Sequence, residues 1–493
     1  MKKQGTIPAG ALCPYPKQIK WHGNYLKIAG QVRLVISDAM SADAVDLFKS
    51  IWNNFTQSKV KLNVTTNRDL PPNSFLLAAG DTIPTAVKLE PNSTSALTVD
   101  EHGAAACGLS ETDLKYSWFS MLQLLACGNT PRAEFWQLPL MSTQDSPLLK
   151  FRGIHICVFP ETSLEFVEKI IKLAAFLKFS HVVLEFWGML KYETLPELAW
   201  PQAYGKKQVR QLLHTARQMG IQPIPMFNHW GHAAGAREIC GRHVLLDQNP
   251  ALEPLFEPDG WTWCLTNPST LALLKDIRAE LVQLFGKTDY FHLGCDEARS
   301  HATCPECRKH DSPKLLADYL NSVNDDLKSR NIRPFIWGDA LLETGKWENY
   351  IATSRQDQRT HEALDLLSGD FIINDWQYGI TDKTKTATVD WFIQKGFEVI
   401  TAPWQNDGNI IALADMAIAK SALGTLLTTW HTLPTSMAGM ATAAGAIWGG
   451  SESLKYFGGI TVLAAYLRKL RGGPVDFKNA GWRKCEVNDS SQF

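Results

Sequence analysis

The sequence predicts an α/β protein in which a (β/α)8 barrel, the TIM-barrel architecture, follows a smaller α/β domain. Three observations support this. From about residue 151, short apolar runs alternate with amphipathic helical patterns, and there are eight such runs. The runs are nearly continuous, which is typical of parallel strands with both faces covered. Eight strand–helix units over roughly 280 residues match the size of such a barrel.

The elements of the barrel follow in order. The predicted strands are 151–158, 181–187, 221–228, 290–297, 333–339, 370–379, 397–404 and 424–432. The predicted helices are 164–178, 206–220, 271–285, 315–329, 388–395 and 410–423, with a weaker helical pattern at 346–367. Chemistry in these barrels gathers at the C-terminal strand ends, so functional residues are expected there.

A different pattern precedes the barrel. Strands are expected at 26–36, 60–64 and 75–79, with helices at 42–56 and 111–126. Pro139 and the Asp145-Ser146-Pro147 run predict a linker. A closing helix is expected at 454–470. The predicted domains are therefore residues 1–146 (α/β domain), 147–450 (barrel) and 451–493 (closing helix and tail).

Bulk composition excludes several classes. The 49 basic and 50 acidic side chains leave a net charge of -1, which gives no support to a nucleic-acid partner. No apolar stretch suits a membrane span or a leader peptide, so we expect no membrane partner and a cytoplasmic location. A periplasmic or secreted location is the alternative if a leader was removed.

The cysteine pattern leaves one local question open. Ten cysteines are scattered without a disulfide framework. Cys304-Pro-Glu-Cys307 is the exception, because His301 and His310 flank it and a C-x-x-C pair is half of a zinc site. A structural metal, a local disulfide and free thiols all remain open for this pair.

The most informative feature is the adjacent pair Asp296 and Glu297 at the end of the fourth predicted strand. Neighbouring carboxylates raise the cost of ionising each other, so one charged and one protonated group is the expected state. Glycoside hydrolysis uses such a division of roles. Several of the 17 Trp residues fall at other strand ends, where aromatic faces suit sugar rings.

These residues carry a resemblance to a known family. The run His292-Leu-Gly-Cys-Asp-Glu297 resembles the H-x-G-G-D-E motif of glycoside hydrolase family 20, the β-N-acetylhexosaminidases, with Cys295 where the second Gly is usual. Arg152-Gly153, Gly231-His232 and Ala402-Pro403-Trp404 also resemble family motifs. The variant motif is most similar to the branch that contains hexosaminidase D.

The resemblance implies an exo-acting, retaining β-N-acetylhexosaminidase that releases terminal GlcNAc or GalNAc through an oxazolinium ion. Asp296 would stabilise the acetamido group and Glu297 would act as general acid and base. Neither a cofactor nor a metal in the site is implied; a homodimer is left open. The implied substrate-binding residues are Arg152, Glu185, His232, Trp337, Trp376, Tyr378, Trp404 and Trp430.

The chain departs from the family at further positions. Cys157 and Pro160 stand where an Asp and an Arg commonly follow Arg152-Gly153. Gln405 stands where a Tyr is usual after Trp404, and Thr432 replaces an acid after Trp430. Tyr378 is the candidate for the missing hydroxyl, and Glu185 for recognition of O4 or O6. The alternative function is a non-hydrolytic or modified-sugar-specific glycan-binding relative. The sequence does not decide between GlcNAc and GalNAc, and it does not identify the aglycone.

Overall fold

The computed structural model describes residues 10–37, 40–56, 58–66, 71–72, 74–84, 87, 89–128, 135–233 and 245–470. A mixed seven-stranded sheet forms the first domain, in the order β1-β7-β5-β6-β4-β2-β3. Its strands are β1 (Gln18–Ile28), β2 (Gln31–Ile36), β3 (Lys61–Thr65), β4 (Ser74–Ala79), β5 (Ser95–Val99), β6 (Gly103–Gly108) and β7 (Trp136–Asp145). Its helices are α1 (Ala42–Thr56) and α2 (Glu111–Gly128).

Two expectations for this domain are wrong. The single strand expected at 26–36 is divided between β1 and β2, because Gly30 turns the chain with a φ of 65°. The segment expected as a linker is mostly β7, which pairs with both β1 and β5. Pro139 is tolerated there because it lies opposite Tyr25, beside a register shift in the β1–β7 ladder.

The eight predicted barrel strands are confirmed, and together they close a parallel barrel in which β15 pairs with β8. They are β8 (Phe151–Cys157), β9 (His181–Glu185), β10 (Gln222–Met226), β11 (Tyr290–His292), β12 (Arg333–Trp337), β13 (Ile372–Asp375), β14 (Glu398–Thr401) and β15 (Gly424–Thr428). Side chains facing inward, including Phe151, Ile224, Phe335 and Leu426, fill the barrel as a packed core.

Helices surround the barrel. They are α3 (Leu164–Phe176), α4 (Lys206–Gln218), α5 (Leu245–Gln248), α6 (Pro268–Phe285), α7 (Ser312–Lys328), α8 (Ala387–Gln394), α9 (Asp407–Ala419), α10 (Met437–Gly449) and α11 (Ile460–Leu470). Of these described helices, none combines the length and the apolar character that a bilayer crossing needs.

The helix expected at 346–367 is wrong, since the only helical segment there is the 3-10 turn Thr360–Leu366. The closing helix starts later than expected, at Ile460, because Gly459 has a φ of 69° and separates it from the 3-10 turn Ser451–Tyr456. Helix α11 packs against α1, α2 and α3, so the end of the described chain contacts both the first domain and the barrel. The domain boundaries remain a prediction.

Candidate active site

The acid pair lies on a tightly turned segment just beyond β11. Gly294, Cys295 and Glu297 have φ values of 68°, 73° and 49°, in the left-handed region that L-residues rarely adopt. Strain of this kind concentrates at functional sites. The positive φ of residue 295 explains why glycine suits this position. In this chain Cys295 is buried there, and its thiol lies 3.5 Å from the Leu293 carbonyl oxygen. Asp296 is thereby turned inward, whereas the Glu297 side chain keeps 37% of its surface exposed.

The loop after β10 touches the acid pair through a glycine. A Cβ atom on Gly231 would lie 2.0 Å from the Asp296 carbonyl oxygen, so only glycine permits this approach. The next residue, His232, places its Nε2 atom 3.3 Å from Asp296 Oδ2 and 3.2 Å from Glu297 Oε2. The Gly-His pair therefore brings one imidazole within hydrogen-bonding range of both acids.

Gly231→Ala is expected to displace the Asp296 backbone and lower kcat/KM by about 10²-fold, because misplacement of a catalytic group by an ångström is costly. Steady-state kinetics with an aryl N-acetyl-β-glucosaminide would measure this. The matched control is Gly369→Ala, where the added Cβ meets nothing within 4 Å. Unchanged turnover in Gly231→Ala would contradict the close contact.

A third carboxylate supports the pair from the 3-10 turn Asp339–Leu341, just after β12. Asp339 Oδ2 accepts hydrogen bonds from the Glu297 backbone N–H (3.1 Å) and the Thr353 hydroxyl (2.6 Å). Its Oδ1 atom accepts from the Trp376 indole at 2.9 Å. Burial, and then the charge of Asp296, raise the pKa of Asp339 to about 7. The hydrogen bonds of Asp339 therefore link the acid pair to the cavity wall. Its raised pKa means that the carboxyl holds a proton through the acidic range.

Asp339→Asn has two expected effects. The amide cannot accept all three hydrogen bonds, so kcat/KM should fall about 5- to 30-fold. The pKa of Asp339 is raised in the folded state from 3.8 to about 7, so its stabilising contribution is complete below pH 3.8 and is lost as pH rises through about 7. The wild-type free energy of unfolding should therefore fall relative to the variant by up to about 1.4 kcal/mol per pH unit in that window.

The control for this prediction is Asp375→Asn. Asp375 is a fully buried carboxyl whose pKa burial raises to about 6, and it bonds Gln377 and Thr388 instead of the acid pair. Urea titrations from pH 4 to 8 measure the effect of each variant on stability, and steady-state kinetics measure its effect on activity. Asp375→Asn should alter the pH dependence of stability and leave kcat/KM unchanged. Loss of activity in both variants alike would contradict the positioning role of Asp339.

A cavity of about 300 Å³ opens above the acid pair. Its described lining residues are His232, Trp261, Asp296, Glu297, Arg299, Trp376, Tyr378, Trp404, Trp430 and His431. Seven of the ten predicted site residues therefore converge on one cavity, although their roles remain predictions.

Hydrogen bonds hold the aromatic rings of this wall in place. The Tyr378 hydroxyl accepts from Trp430 Nε1 at 2.7 Å. Trp404 Nε1 donates to the Thr432 hydroxyl at 3.0 Å. Thr432, which replaces the family acid, therefore helps to hold the Trp404 ring in place. Because Trp376 donates to Asp339, each of these three indole N–H groups has an acceptor, which fixes the orientation of its ring.

The prediction that Arg152 contacts the sugar is wrong. Arg152 lies near the N-terminal end of β8, whereas the cavity lies beyond the C-terminal strand ends. Its guanidinium donates to the carbonyl oxygens of Lys178 (3.0 Å) and Leu149 (2.8 Å) and to the Tyr116 hydroxyl (2.7 Å). It also lies 5.1 Å from the ring centre of Trp448. These contacts attach the barrel to α2 and α10.

Glu185 also fails to reach the cavity. Its side chain is fully buried at the end of β9. There it accepts from Trp187 Nε1 (2.6 Å) and Asn228 Nδ2 (2.9 Å) and lies 3.1 Å from His155 Nε2. This buried network below the cavity contradicts the predicted contact with O4 or O6.

Trp337 supports the cavity from below and does not line it. It is 1% exposed, and its ring centre lies 5.6 Å from that of Trp430 and 4.4 Å from that of His292. Burial lowers the pKa of His292 to about 3, so this imidazole is neutral and packs as an aromatic ring. Trp337 is therefore not among the described residues that line the cavity, and its predicted contact with the substrate stays a prediction.

Sequence reasoning missed Trp261 and Arg299. Trp261 Nε1 donates to the Glu297 carbonyl oxygen at 2.9 Å, and its ring centre lies 4.4 Å from that of His232. The Arg299 guanidinium stacks 4.8 Å from the Trp261 ring centre. Trp261 lies deep in the connection between β10 and α6, away from any strand end, so strand periodicity could not reveal it.

Two groups of side chains are close enough to share an ion. His232, Asp296 and Glu297 form the first, within the cavity, and the second includes Cys304 and Cys307 outside it. The expectation that the catalytic site needs no cofactor remains a prediction.

A closed parallel barrel with an acid pair and an aromatic cavity at its C-terminal rim is an arrangement typical of glycoside hydrolases. The family model "Glycosyl hydrolase family 20, catalytic domain" matches residues 180–406, which confirms for this segment the family that the motifs predicted.

Similar proteins agree with this assignment. "Probable beta-hexosaminidase fdl" of Drosophila melanogaster is 24% identical over 41% of this chain and 34% of its own length. "Hexosaminidase D" of Homo sapiens is 24% identical over 41% of each chain. The chain thus matches less than half the length of these relatives. A solved exo β-N-acetylglucosaminidase from Vibrio harveyi shares the fold, with a TM-score of 0.69, 17% identity, and coverage of 96% of this chain and 79% of that one.

Proposed function

We propose that the protein is an exo-acting, retaining β-N-acetylhexosaminidase in which the substrate's own acetamido oxygen is the nucleophile. One observation carries the proposal: among the described residues lining the cavity, the acids are Asp296 and Glu297, adjacent in the chain. A double displacement with an enzyme nucleophile needs carboxyl groups on opposite sides of the scissile bond, about 5–5.5 Å apart. Adjacent residues on one turn suit substrate assistance, the known exception in this family.

The different exposures of the two acids support different roles. Asp296 is buried, so an ionised carboxylate there can accept the acetamido N–H and stabilise positive charge developing on the oxazolinium ring. Glu297 is 37% exposed beside the cavity, where it can protonate the leaving oxygen and then deprotonate water. His232 contacts both carboxylates and can orient them.

The aromatic wall supports selection of N-acetyl sugars. Trp376, Trp404 and Trp430 provide apolar surface for the acetamido methyl group. The Tyr378 hydroxyl accepts from Trp430, so its own proton can be donated to the acetamido oxygen. A free 2-amino group would be charged and poorly paired against this surface. Tyr378 thus takes the task of the Tyr that Gln405 replaces.

The size of the cavity supports exo action. About 300 Å³ is at the lower end of small-molecule sites and suits one terminal sugar. Arg299 lines the same cavity and is the candidate donor of charge-assisted hydrogen bonds to ring hydroxyls. GlcNAc- or GalNAc-terminated glycans are the proposed substrates, in keeping with the names of the relatives.

Fluorogenic aryl glycosides test the proposal. The 4-methylumbelliferyl N-acetyl-β-glucosaminide and galactosaminide should be hydrolysed, whereas the matching β-glucoside and unacetylated β-glucosaminide should not. Proton NMR during turnover should show the β-anomer of the free sugar first. Binding of N-acetylglucosamine without hydrolysis of any aryl glycoside would instead identify a glycan-binding relative. An α-anomer appearing first would contradict retention.

A further inference from the structure

A cluster of four side chains outside the cavity is unexplained by the proposed reaction. Cys264 and Glu257 come from the connection between β10 and α6, and Cys304 and Cys307 come from the connection between β11 and α7. One ligand atom from each lies within 4.8 Å of all the others. The sequence revealed only the Cys304–Cys307 half, because the other two residues meet it through folding alone.

The spacing of the sulfur atoms fits a shared ion. Cys264 Sγ lies 3.7 Å from Cys304 Sγ and 3.6 Å from Cys307 Sγ. Four ligands around Zn²⁺, with Zn–S bonds of about 2.3 Å in a tetrahedron, place sulfur atoms about 3.8 Å apart. A disulfide needs a bond of about 2.05 Å and would leave one of the three thiols over. The observed distances therefore match an ion-centred arrangement more closely than a disulfide.

The fourth side chain has an oxygen suited to a cation. Glu257 is 2% exposed. Its Oε2 atom accepts from the backbone N–H groups of Thr303 (3.0 Å) and Cys304 (2.6 Å), which fixes the carboxylate. Its Oε1 atom is buried and meets no N–H or O–H donor from the described part of the chain. A buried carboxylate oxygen in that state is costly, and a metal ion would satisfy it.

Hydrogen bonds to the sulfur atoms also favour thiolate ligands. The Cys307 N–H donates to Cys304 Sγ at 3.3 Å. The Thr266 hydroxyl lies 3.1 Å from Cys307 Sγ. Outer contacts of this kind orient and stabilise metal-bound sulfur.

We propose that Cys264, Cys304, Cys307 and Glu257 bind one structural Zn²⁺ ion. Thiolates select Zn²⁺ over the hard cations Mg²⁺ and Ca²⁺, and four protein ligands leave no open position for catalysis. Binding releases the thiol protons to solvent, and no bond to substrate is involved. This inference is independent of the proposed reaction, since the cluster does not line the cavity.

The ion would stabilise the cavity indirectly. It joins the segment that carries Trp261 to the segment that carries Glu297, whose carbonyl oxygen accepts from the Trp261 indole. Loss of the ion should therefore loosen one wall beside the proposed general acid. That effect on activity is secondary, so metal content and stability are the primary measurements.

Elemental analysis of the full chain, prepared with zinc and then dialysed, tests the proposal. Wild type should hold close to one zinc per chain, and Cys264→Ser and Cys307→Ser should each lose most of it. The matched control is Cys127→Ser, which removes a half-buried thiol at the end of α2. After exchange with Co²⁺, wild type should show a thiolate-to-cobalt charge-transfer band and the visible bands of tetrahedral cobalt.

Chelation of the wild-type protein covers the case in which the serine variants do not fold. Removing the ion should lower Tm by roughly 5 °C or more, and added Zn²⁺ should restore it. Glu257→Gln, a milder change, should weaken zinc retention at least tenfold. Wild type without bound metal, with three freely titrating thiols or a disulfide among them, would overturn the proposal. Iron in place of zinc, or zinc retained equally in all variants, would overturn it as well.

Discussion

Glu297→Gln is expected to lower kcat/KM by about 10²- to 10⁴-fold for substrates with poor, alkyl leaving groups. Glutamine keeps the shape of the side chain but cannot protonate the departing oxygen. A 2,4-dinitrophenyl leaving group needs no proton, so the loss for that substrate should be far smaller. Plotting log(kcat/KM) against leaving-group pKa measures the difference, because the slope should steepen in the variant.

Glu343→Gln is the matched control for this prediction, since Glu343 is a partly exposed acid near Lys346, outside the cavity lining. It should behave as wild type. An equal loss for alkyl and dinitrophenyl leaving groups in Glu297→Gln would remove Glu297 from the role of general acid. Glu297 would then be only a binding residue.

Asp296→Asn is expected to lower kcat/KM by about 10²- to 10³-fold for every N-acetyl substrate, whatever its leaving group. The reason is the position of the charge: the carboxylate stabilises the acetamido nitrogen and does not touch the departing oxygen. The neutral amide cannot balance the positive charge of the oxazolinium ion. Steady-state kinetics over the same leaving-group series checks this.

Asp375→Asn again supplies the control, because it changes a buried carboxyl that makes no contact with the acid pair. A loss in Asp296→Asn that depended on the leaving group, in the manner of Glu297→Gln, would contradict the division of roles. Intact folding of both variants is checked by Tm.

The sequence predicted the barrel because buried parallel strands have an unmistakable pattern. Each continuous apolar run indicates one strand that is covered on both faces. Eight such strands, alternating with helices, match a closed barrel. The same logic predicted much of the cavity, since Trp376, Tyr378 and Trp404 follow strand ends that a barrel brings together. Asp296 and Glu297 were evident because the two acids are adjacent at the end of a predicted strand, within a run that resembles a family motif.

Arg152 shows where motif matching fails. Arg152-Gly153 resembles a family motif, but alternate residues of a strand face opposite sides. Phe151 fills the barrel interior, so Arg152 points outward to Tyr116 and Trp448. The predicted contact of Glu185 with the sugar was wrong for another reason. The burial of Glu185 and its hydrogen bonds to Asn228 and Trp187 depend on neighbouring residues that the sequence of one strand does not specify.

Trp261, Glu257 and Cys264 lie in one long connection whose path is set by tertiary contacts. No periodicity marks them, and their partners in the chain, Glu297, Cys304 and Cys307, belong to the next connection. The wall beside Glu297 and the Glu257–Cys264 half of the proposed zinc site could therefore be found only from the folded structure.

In the proposed mechanism, the substrate's acetamido oxygen attacks the anomeric carbon. Aryl β-glucosaminides whose N-acetyl group carries zero, one, two or three fluorine atoms test this step, because each fluorine withdraws electrons from that oxygen. Substrate assistance predicts that kcat/KM falls steadily with each added fluorine. A kcat/KM that stayed constant across the series would show that a protein group is the nucleophile and would contradict the mechanism.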